Sequence, residues 1–245
     1  MTLDSEYFER IDLPLSDNAD MTDDGSILFN TVVYGGKESL LMEYQADGTL
    51  REIWDCVAYF GPPSNDCYSN TVNWNPEDDS ILMSFIAYNT VVQIDRGTGD
   101  VIAQYGDAEG SYAFDPDLWG FDFQHYPNIT PEGTLMVSSH LPGYDQHAFM
   151  EFQLDRDNEV LIEEWIYREG DEWADAMGEA HRIPDGNGNI LTNYGSDGVI
   201  KELTMGKETA WKVTFYGFDE GDLLKKMVGH CTMLDDLYAI NRGPE

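Results

Sequence analysis

Four stretches of this 245-residue chain follow one plan, and a chain that repeats itself in this way has few folds open to it. Each stretch opens on a turn, then runs through an apolar strand, a short link, a second strand, a polar turn and a third strand. They are DDGSILFNTVVYGGKESLLMEYQADGTLREIWD, PEDDSILMSFIAYNTVVQIDRGTGDVIAQYG, PEGTLMVSSHLPGYDQHAFMEFQLDRDNEVLIEEWIY and PDGNGNILTNYGSDGVIKELTMGKETAWKVTF. Aligning the second strands puts Tyr44, Ile94, Phe152 and Leu203 in register, at spacings of 50, 58 and 51 residues. Each copy carries hairpin-turn chemistry near its end: Ala46-Asp47-Gly48, Gly97-Thr98-Gly99, Arg156-Asp157-Asn158 and Met205-Gly206-Lys207. One such unit cannot bury both of its faces, so units of this kind pack side by side around a channel. That architecture is a β-propeller.

A fifth, partial copy, GHCTMLDDLYAIN at 229–241, supplies an inner strand without outer ones. The stretch YFERIDLPL at 7–15 is a strand without a blade. The expectation is an all-β chain forming one β-propeller domain over 1–245. Its five blades fall at roughly 20–55, 69–106, 121–167, 178–215 and 229–241, the last completed by 4–15 to close the ring. Six blades is the alternative, if 106–120 or 168–178 forms more strand. These two segments, GDAEGSYAFDPDLWG and REGDEWADAMG, break the period and suit loops over one channel mouth; the second also suits a short helix.

Charge narrows the partners. Forty-seven acids face thirteen bases, a formal net charge of −34, which repels nucleic acid and anionic membrane surfaces. The acids are spread along the chain, a pattern that suits a solvated surface in a high-salt setting as well as a merely acidic protein. No apolar run approaches the roughly 18 residues of a membrane span. The N-terminal MTLDSEYFERIDLPL has no apolar signal core, so a cytoplasmic chain or a mature exported form is expected. Cys56 and Cys67 flank FGPPSND and can bridge it, but three cysteines fit free thiols at least as well. A small-molecule ligand is the partner class left, with oligomeric state open.

The strand nearest the channel is preceded in each copy by a polar approach segment: LSDNADMTDDG, YSNTVNWNPEDD, FQHYPNITPEG, GEAHRIPDGNG and VGHCTMLDD. They carry Asp17 and Asp20, Asn70 and Asn73, His125 and Asn128, Glu179 and His181, and His230. Three of the five histidines thus share one structural position on three blades and are expected to converge at a channel mouth, as an active site requires. His140 and His147 flank LPGYDQ and read as surface residues, with His147 an outside candidate. Trp119 and Trp173, in the irregular segments, can wall a pocket for a planar ligand. Asn128-Ile129-Thr130 matches a glycosylation sequon but reads as part of a turn.

These residues resemble a known family. YSNTVNWNPEDDSILMSFIAYNTVVQIDRGTGDV is similar to the bacterial arylsulfotransferase blade that runs His-x-Asn-(Ser/Ala)-Val, an Asp-rich turn, a strand and Ile-Asp-Arg-x-Thr-Gly. FQHYPNITPEGTLMVSS looks like that family's Gln-His approach, and GEAHRIPDGNGNILTNYGSDGVIKEL like its Arg-(Leu/Ile)-Pro-x-Gly-Asn blade. GHCTMLDDLYAIN looks like its closing strand, so the likeness covers roughly 50–241. It implies a propeller enzyme that moves a sulfuryl group between phenols through a histidine, with no cofactor. The chain departs from the pattern at Tyr68, where the family has histidine, and near Cys231, where it has arginine. The Gln-His blade also lacks its arginine, while Arg182 remains.

Taken together, His125 is expected as nucleophile or general base, His181 and His230 as acid–base partners and Tyr68 as a proton donor, acting on a small aromatic or phenolic substrate. Asn70, Asn128, Arg182, Trp119 and Glu179 are expected to bind it. Loss of the sulfuryl-binding cations would mean a changed reaction, such as that of a lyase, isomerase or hydrolase. The alternatives are a metal-dependent hydrolase or lyase and a non-catalytic ligand- or protein-binding propeller. In the metal-dependent case three histidines and a carboxylate would hold a transition metal, or Asp17, Asp20 and Asn73 would hold calcium.

Overall fold

The structure, a computed structural model, describes residues 12–31, 33–34, 37–38, 40–62, 64–141, 146–168, 172–183, 188–219 and 222–231. The first sheet contains β1 (Leu15–Met21), β2 (Ile27–Thr31), β5 (Leu40–Tyr44) and β6 (Leu50–Asp55), with a small hairpin, β3 (Val33–Tyr34) and β4 (Lys37–Glu38), between its middle strands. The second runs β7 (Ser69–Asn75), β8 (Ser80–Phe85), β9 (Thr90–Asp95) and β10 (Val101–Gly106). In the third, β12 (Asp122–Ile129), β13 (Leu135–His140), β14 (His147–Asp155) and β15 (Val160–Tyr167) take an added parallel edge strand, β11 (Ala113–Asp115). The fourth is β16 (Gly178–Arg182), β17 (Ile190–Tyr194), β18 (Val199–Leu203) and β19 (Thr209–Thr214). A separate hairpin follows, β20 (Tyr216–Asp219) and β21 (Asp222–Lys225).

Apart from β11, each of the four sheets is an antiparallel meander, and their inner strands touch in turn: β1 meets β7, β7 meets β12, and β12 meets β16. Three apolar clusters lie between neighbouring sheets, and a fourth, Phe29, Leu40 and Met42, belongs to the first sheet alone. Leu28, Leu41 and Trp54 pack on Val72, Ile81 and Met83. Leu82, Val91 and Tyr105 pack on Leu135, Met150 and Phe152. Met136, Phe149 and Trp165 pack on Ile190, Tyr194 and Leu203. Inner strands around an axis with cores between the sheets define a β-propeller, and both faces of strands such as β8 and β13 are buried for this reason. Gly99 marks how closely adjacent blades approach: a Cβ there would lie 2.2 Å from the Ile53 carbonyl oxygen, and its φ is +78°.

The expected turns form. Gly48 has φ +88° and donates to Gln45 O at 2.8 Å, and the Asp95 and Asp155 carboxylates cap the Thr98 and Asn158 amides. In the fourth blade the left-handed residue is Lys207, not Gly206. The first blade begins at Leu15 rather than near residue 20. The segment 106–120 forms no blade of its own, since its strand β11 joins the third. Among the described residues, 168–178 holds no helix; helix α1 (Cys56–Phe60) forms instead, capped by Asp55. Cys56 and Cys67 are disulfide-bonded, which resolves the open choice at those thiols. Of the segments expected to complete the ring, 4–15 and 229–241, residues 4–11 and 232–241 lie outside the described residues. No helix among the described residues is long and apolar enough to cross a membrane.

Candidate functional site

Side-chain amides stitch the inner strands together. Asn70 Nδ2 donates to Gln124 O at 2.9 Å, Asn73 Nδ2 to Pro127 O at 2.7 Å, and Asn128 Nδ2 to Ala180 O at 2.9 Å. Asn18 donates to Asn70 O, and the Asp20 carboxylate accepts from Trp74 N at 2.7 Å. All of these reach 52 or 54 residues ahead in sequence, from one blade to the next. Glu179 Oε1 continues the series by accepting the Cys231 N–H at 2.6 Å, again 52 residues ahead. The chain therefore returns to the axis at Gly229–Cys231, where a fifth inner strand was expected, held also by Val228 N donating to Gly195 O at 2.9 Å.

The expected site residues divide between two cavities and do not gather at one mouth. A cavity of about 580 Å³ is lined by His125, His230, Tyr68 and Asn70, together with Asn18, Phe123 and Asp175. A smaller one of about 260 Å³ holds Asp20, Asn73, Asn128, His181 and Arg182. Inner strands run along the channel, so residues three apart on one strand, such as Asn70 and Asn73, occupy different levels. The sequence alignment placed them in one class but could not separate the levels.

Glu179 lies between the two cavities. Its buried carboxylate accepts from His181 Nε2 at 3.2 Å and His230 Nδ1 at 2.8 Å on Oε2, and from Asn193 Nδ2 at 2.7 Å on Oε1. Burial would raise its pKa, but these donors outweigh burial and hold it well below the ordinary carboxylate range. The same hydrogen bond raises His230 against the effect of burial. Tyr126, which the sequence reading passed over, packs between the two imidazoles with ring centroids 5.2 Å from His181 and 5.0 Å from His230.

His125 differs from both. Its Nδ1 is buried and has no hydrogen-bond partner. Burial pulls its pKa down to about 4, against the opposing Glu179 charge and the Gly178 backbone, so the ring is neutral at pH 7. The β12–β13 ladder slips on both sides of His125, and Phe123 and Tyr126 on either side take φ +53° and +49°. Left-handed aromatic residues cost about 1–3 kcal/mol each and concentrate at functional sites, and bulges re-aim side chains. Nothing in the sequence marks these two positions, because neither is glycine or asparagine.

Other expectations change. Arg182 pairs with Glu151, donating from Nε at 3.0 Å and also from Nη2, and donates to Gly188 O at 2.7 Å. It is thus held as blade structure, as Arg96 is by Glu43 and Asp24. Trp119 is on the outer side of the third blade, its Nε1 donating to Glu163 at 2.6 Å, away from the channel, because its segment docks along β15. Trp173 stacks on His140 at 4.6 Å. His140 and His147 are buried, not surface residues: they stand at the covered ends of β13 and β14, and His147 Nε2 meets Ser138 Oγ at 2.9 Å. Asp17 falls on β1.

No family model and no curated protein matches the chain. Among solved structures, the periplasmic gluconolactonase of Pseudomonas aeruginosa is similar at TM-score 0.49 and 12% identity, over 80% of this chain and 53% of that one. A streptogramin B lyase structure is similar at 0.47 and 11%, over 81% and 55%. Virginiamycin B lyase from Staphylococcus aureus is similar at 0.44 and 11%, over 86% and 54%. The chain spans little more than half the length of these structures, and likeness at this level assigns it no activity.

Proposed function

We propose that the protein is a propeller enzyme of hydrolase or lyase type, with His125 as general base in the 580 Å³ cavity. The observation that carries this reading is the buried, unpartnered Nδ1 of His125 in the wall of a cavity on the propeller axis. A buried polar atom without a partner is costly, and a substrate proton or hydroxyl would relieve it. His230 lines the same cavity with its Nδ1 tied to Glu179, the arrangement by which a carboxylate orients an imidazole for proton transfer. Tyr68, Ile86, Phe123 and Met177 supply apolar and aromatic wall, which suits a small ring-bearing substrate.

Charge favours this reading over sulfuryl transfer. Among the described residues no lysine or arginine lines the cavity, Asp175 does, and the chain carries −34. A sulfate or phosphate ester would meet no guanidinium or ammonium there, whereas sulfuryl transfer needs cations on the sulfuryl oxygens. The substrate is therefore neutral or cationic, and neutral esters and lactones are the first class to try. The five-blade ring over 1–245 belongs to the same proposal, supported by the return of the chain to the axis at Gly229–Cys231.

The test is turnover of neutral aryl esters, lactones and aryl sulfates by the wild type and His125→Ala. Ester or lactone turnover that falls about 100-fold or more in a folded His125→Ala variant is expected, the size of a general-base contribution. Turnover indifferent to His125, or confined to aryl sulfates, would overturn the reading.

A further inference from the structure

Three metal-ligating side chains from two parts of the chain meet beside the axis. A carboxylate oxygen of Glu179, an imidazole nitrogen of His181 and the Sγ of Cys231 all lie within 4.8 Å of one another. Glu179 and His181 share one face of β16, two residues apart, because side chains on a strand alternate. Cys231 arrives from the returning segment, its backbone N–H fixed on Glu179 Oε1. Cys231 is the free cysteine among the described residues, and its thiol is set among an imidazole and a carboxylate, not in an apolar core.

We propose that Glu179, His181 and Cys231 form a binding site for a borderline-soft divalent transition metal of the zinc or cobalt class. The donor set decides the class. One thiolate, one imidazole and one carboxylate match the ligands zinc takes at about 2.0–2.3 Å, whereas calcium and magnesium take oxygen alone. Three protein ligands leave a fourth position for water or a small molecule, the pattern of open rather than closed zinc sites. Binding would replace the His181 hydrogen bond on Glu179 and release the thiol proton to solvent. Asn193, which donates to Glu179 Oε1, and His230, which donates to Oε2, are placed to orient the carboxylate from outside. The calcium candidates differ: Asp20 accepts two backbone N–H groups, and Asn73 donates its amide to Pro127 O. This site does not depend on the reaction proposed for His125.

The experiment is a Co(II) titration of the full chain after chelator treatment, followed by absorption spectroscopy and competition with Zn(II). One equivalent should bind, with visible ligand-field bands and a near-ultraviolet thiolate-to-cobalt charge-transfer band, both displaced by Zn(II). Cys231→Ser should lose the charge-transfer band and bind at least about tenfold more weakly, since even outer-shell partners change affinity by about 10–100-fold. His181→Gln, a second mild variant, should weaken binding while keeping the band. The absence of saturable uptake, or a charge-transfer band that survives in Cys231→Ser, would overturn the proposal. Turnover is not part of the readout, so this test and that of the His125 reading fail separately.

Discussion

Asn73 Nδ2 donates to the backbone carbonyl of Pro127 at 2.7 Å, joining the inner strands of adjacent blades. Both residues are buried, so removing the donor leaves a carbonyl without water or partner. Asn73→Ala should cost about 1–3 kcal/mol. Asn73→Asp should cost more, because a carboxylate would face that carbonyl. Urea unfolding of the two variants measures the difference; equal stability to wild type would mean the amide is not a blade staple.

Arg182 separates a structural role from a binding one. Its guanidinium neutralises Glu151, which is 1% exposed and also accepts from Thr134 Oγ1 at 2.7 Å. Arg182→Leu should destabilise by about 3–5 kcal/mol, the cost of leaving a buried charge uncompensated. The double variant Arg182→Leu/Glu151→Leu should recover much of that loss. A variant of normal stability with a raised KM would instead return Arg182 to substrate binding.

Acid should weaken the fold through His147. Burial and the neighbouring His140 lower its pKa from 6.5 to about 3. Between these values the unfolded chain binds more protons than the folded one, so stability rises with pH across the window. The contribution is complete above about 6.5 and is lost as pH falls towards 3. Burial of His125, lowered to about 4, acts in the same direction. Each group gives a slope of up to about 1.4 kcal/mol per pH unit. Unfolding free energies at pH 5 and pH 7 should show the slope, and His147→Asn should flatten it.

The disulfide should contribute on the order of 3 kcal/mol or less, as expected for a short closed loop. Cys56 and Cys67 are 11 residues apart and fully buried against the core between the first two blades. The double variant Cys56→Ala/Cys67→Ala reads the loss by thermal or urea unfolding. An unchanged midpoint would show that packing alone holds the α1 loop.

The pH dependence of turnover should show an unusual acid limb. A base with its pKa near 4 stays deprotonated far below the ordinary imidazole range, so kcat/KM should hold down to about pH 5 and fall below it. An acid limb near pH 6.5 would assign the base to a more exposed group.

The blades were legible because their turns are punctuated by Asp, Asn and Gly and their strands alternate. Tyr44, Ile94, Phe152 and Leu203 do occupy matching positions on β5, β9, β14 and β18. The 216–225 hairpin was missed because it breaks the repeat. His125, His230, Tyr68 and Asn70 line one cavity, but the approach segments that carry Asn70 and His125 are themselves the inner strands β7 and β12, not lead-ins to them, and His181 falls in the other cavity. The division of the site was hidden, because depth along a channel follows from register, which bulges in β12 alter. His140 and His147 look like loop-flanking surface residues, but the segment ahead of the next blade, with Trp173 stacked on His140, and that blade's Tyr194 against His147 cover them.

The stitching amides span 52 or 54 residues at every step around the axis, while the second strands of the copies are 50, 58 and 51 apart. Length is therefore regulated at the centre and relaxed at the rim. If the copies arose by duplication, they were free to diverge in their outer loops, as the added β11 edge strand shows, but not in the count of residues from one axial amide to the next. Grafted peptides should be accepted at the outer turns and refused between an axial asparagine and its acceptor.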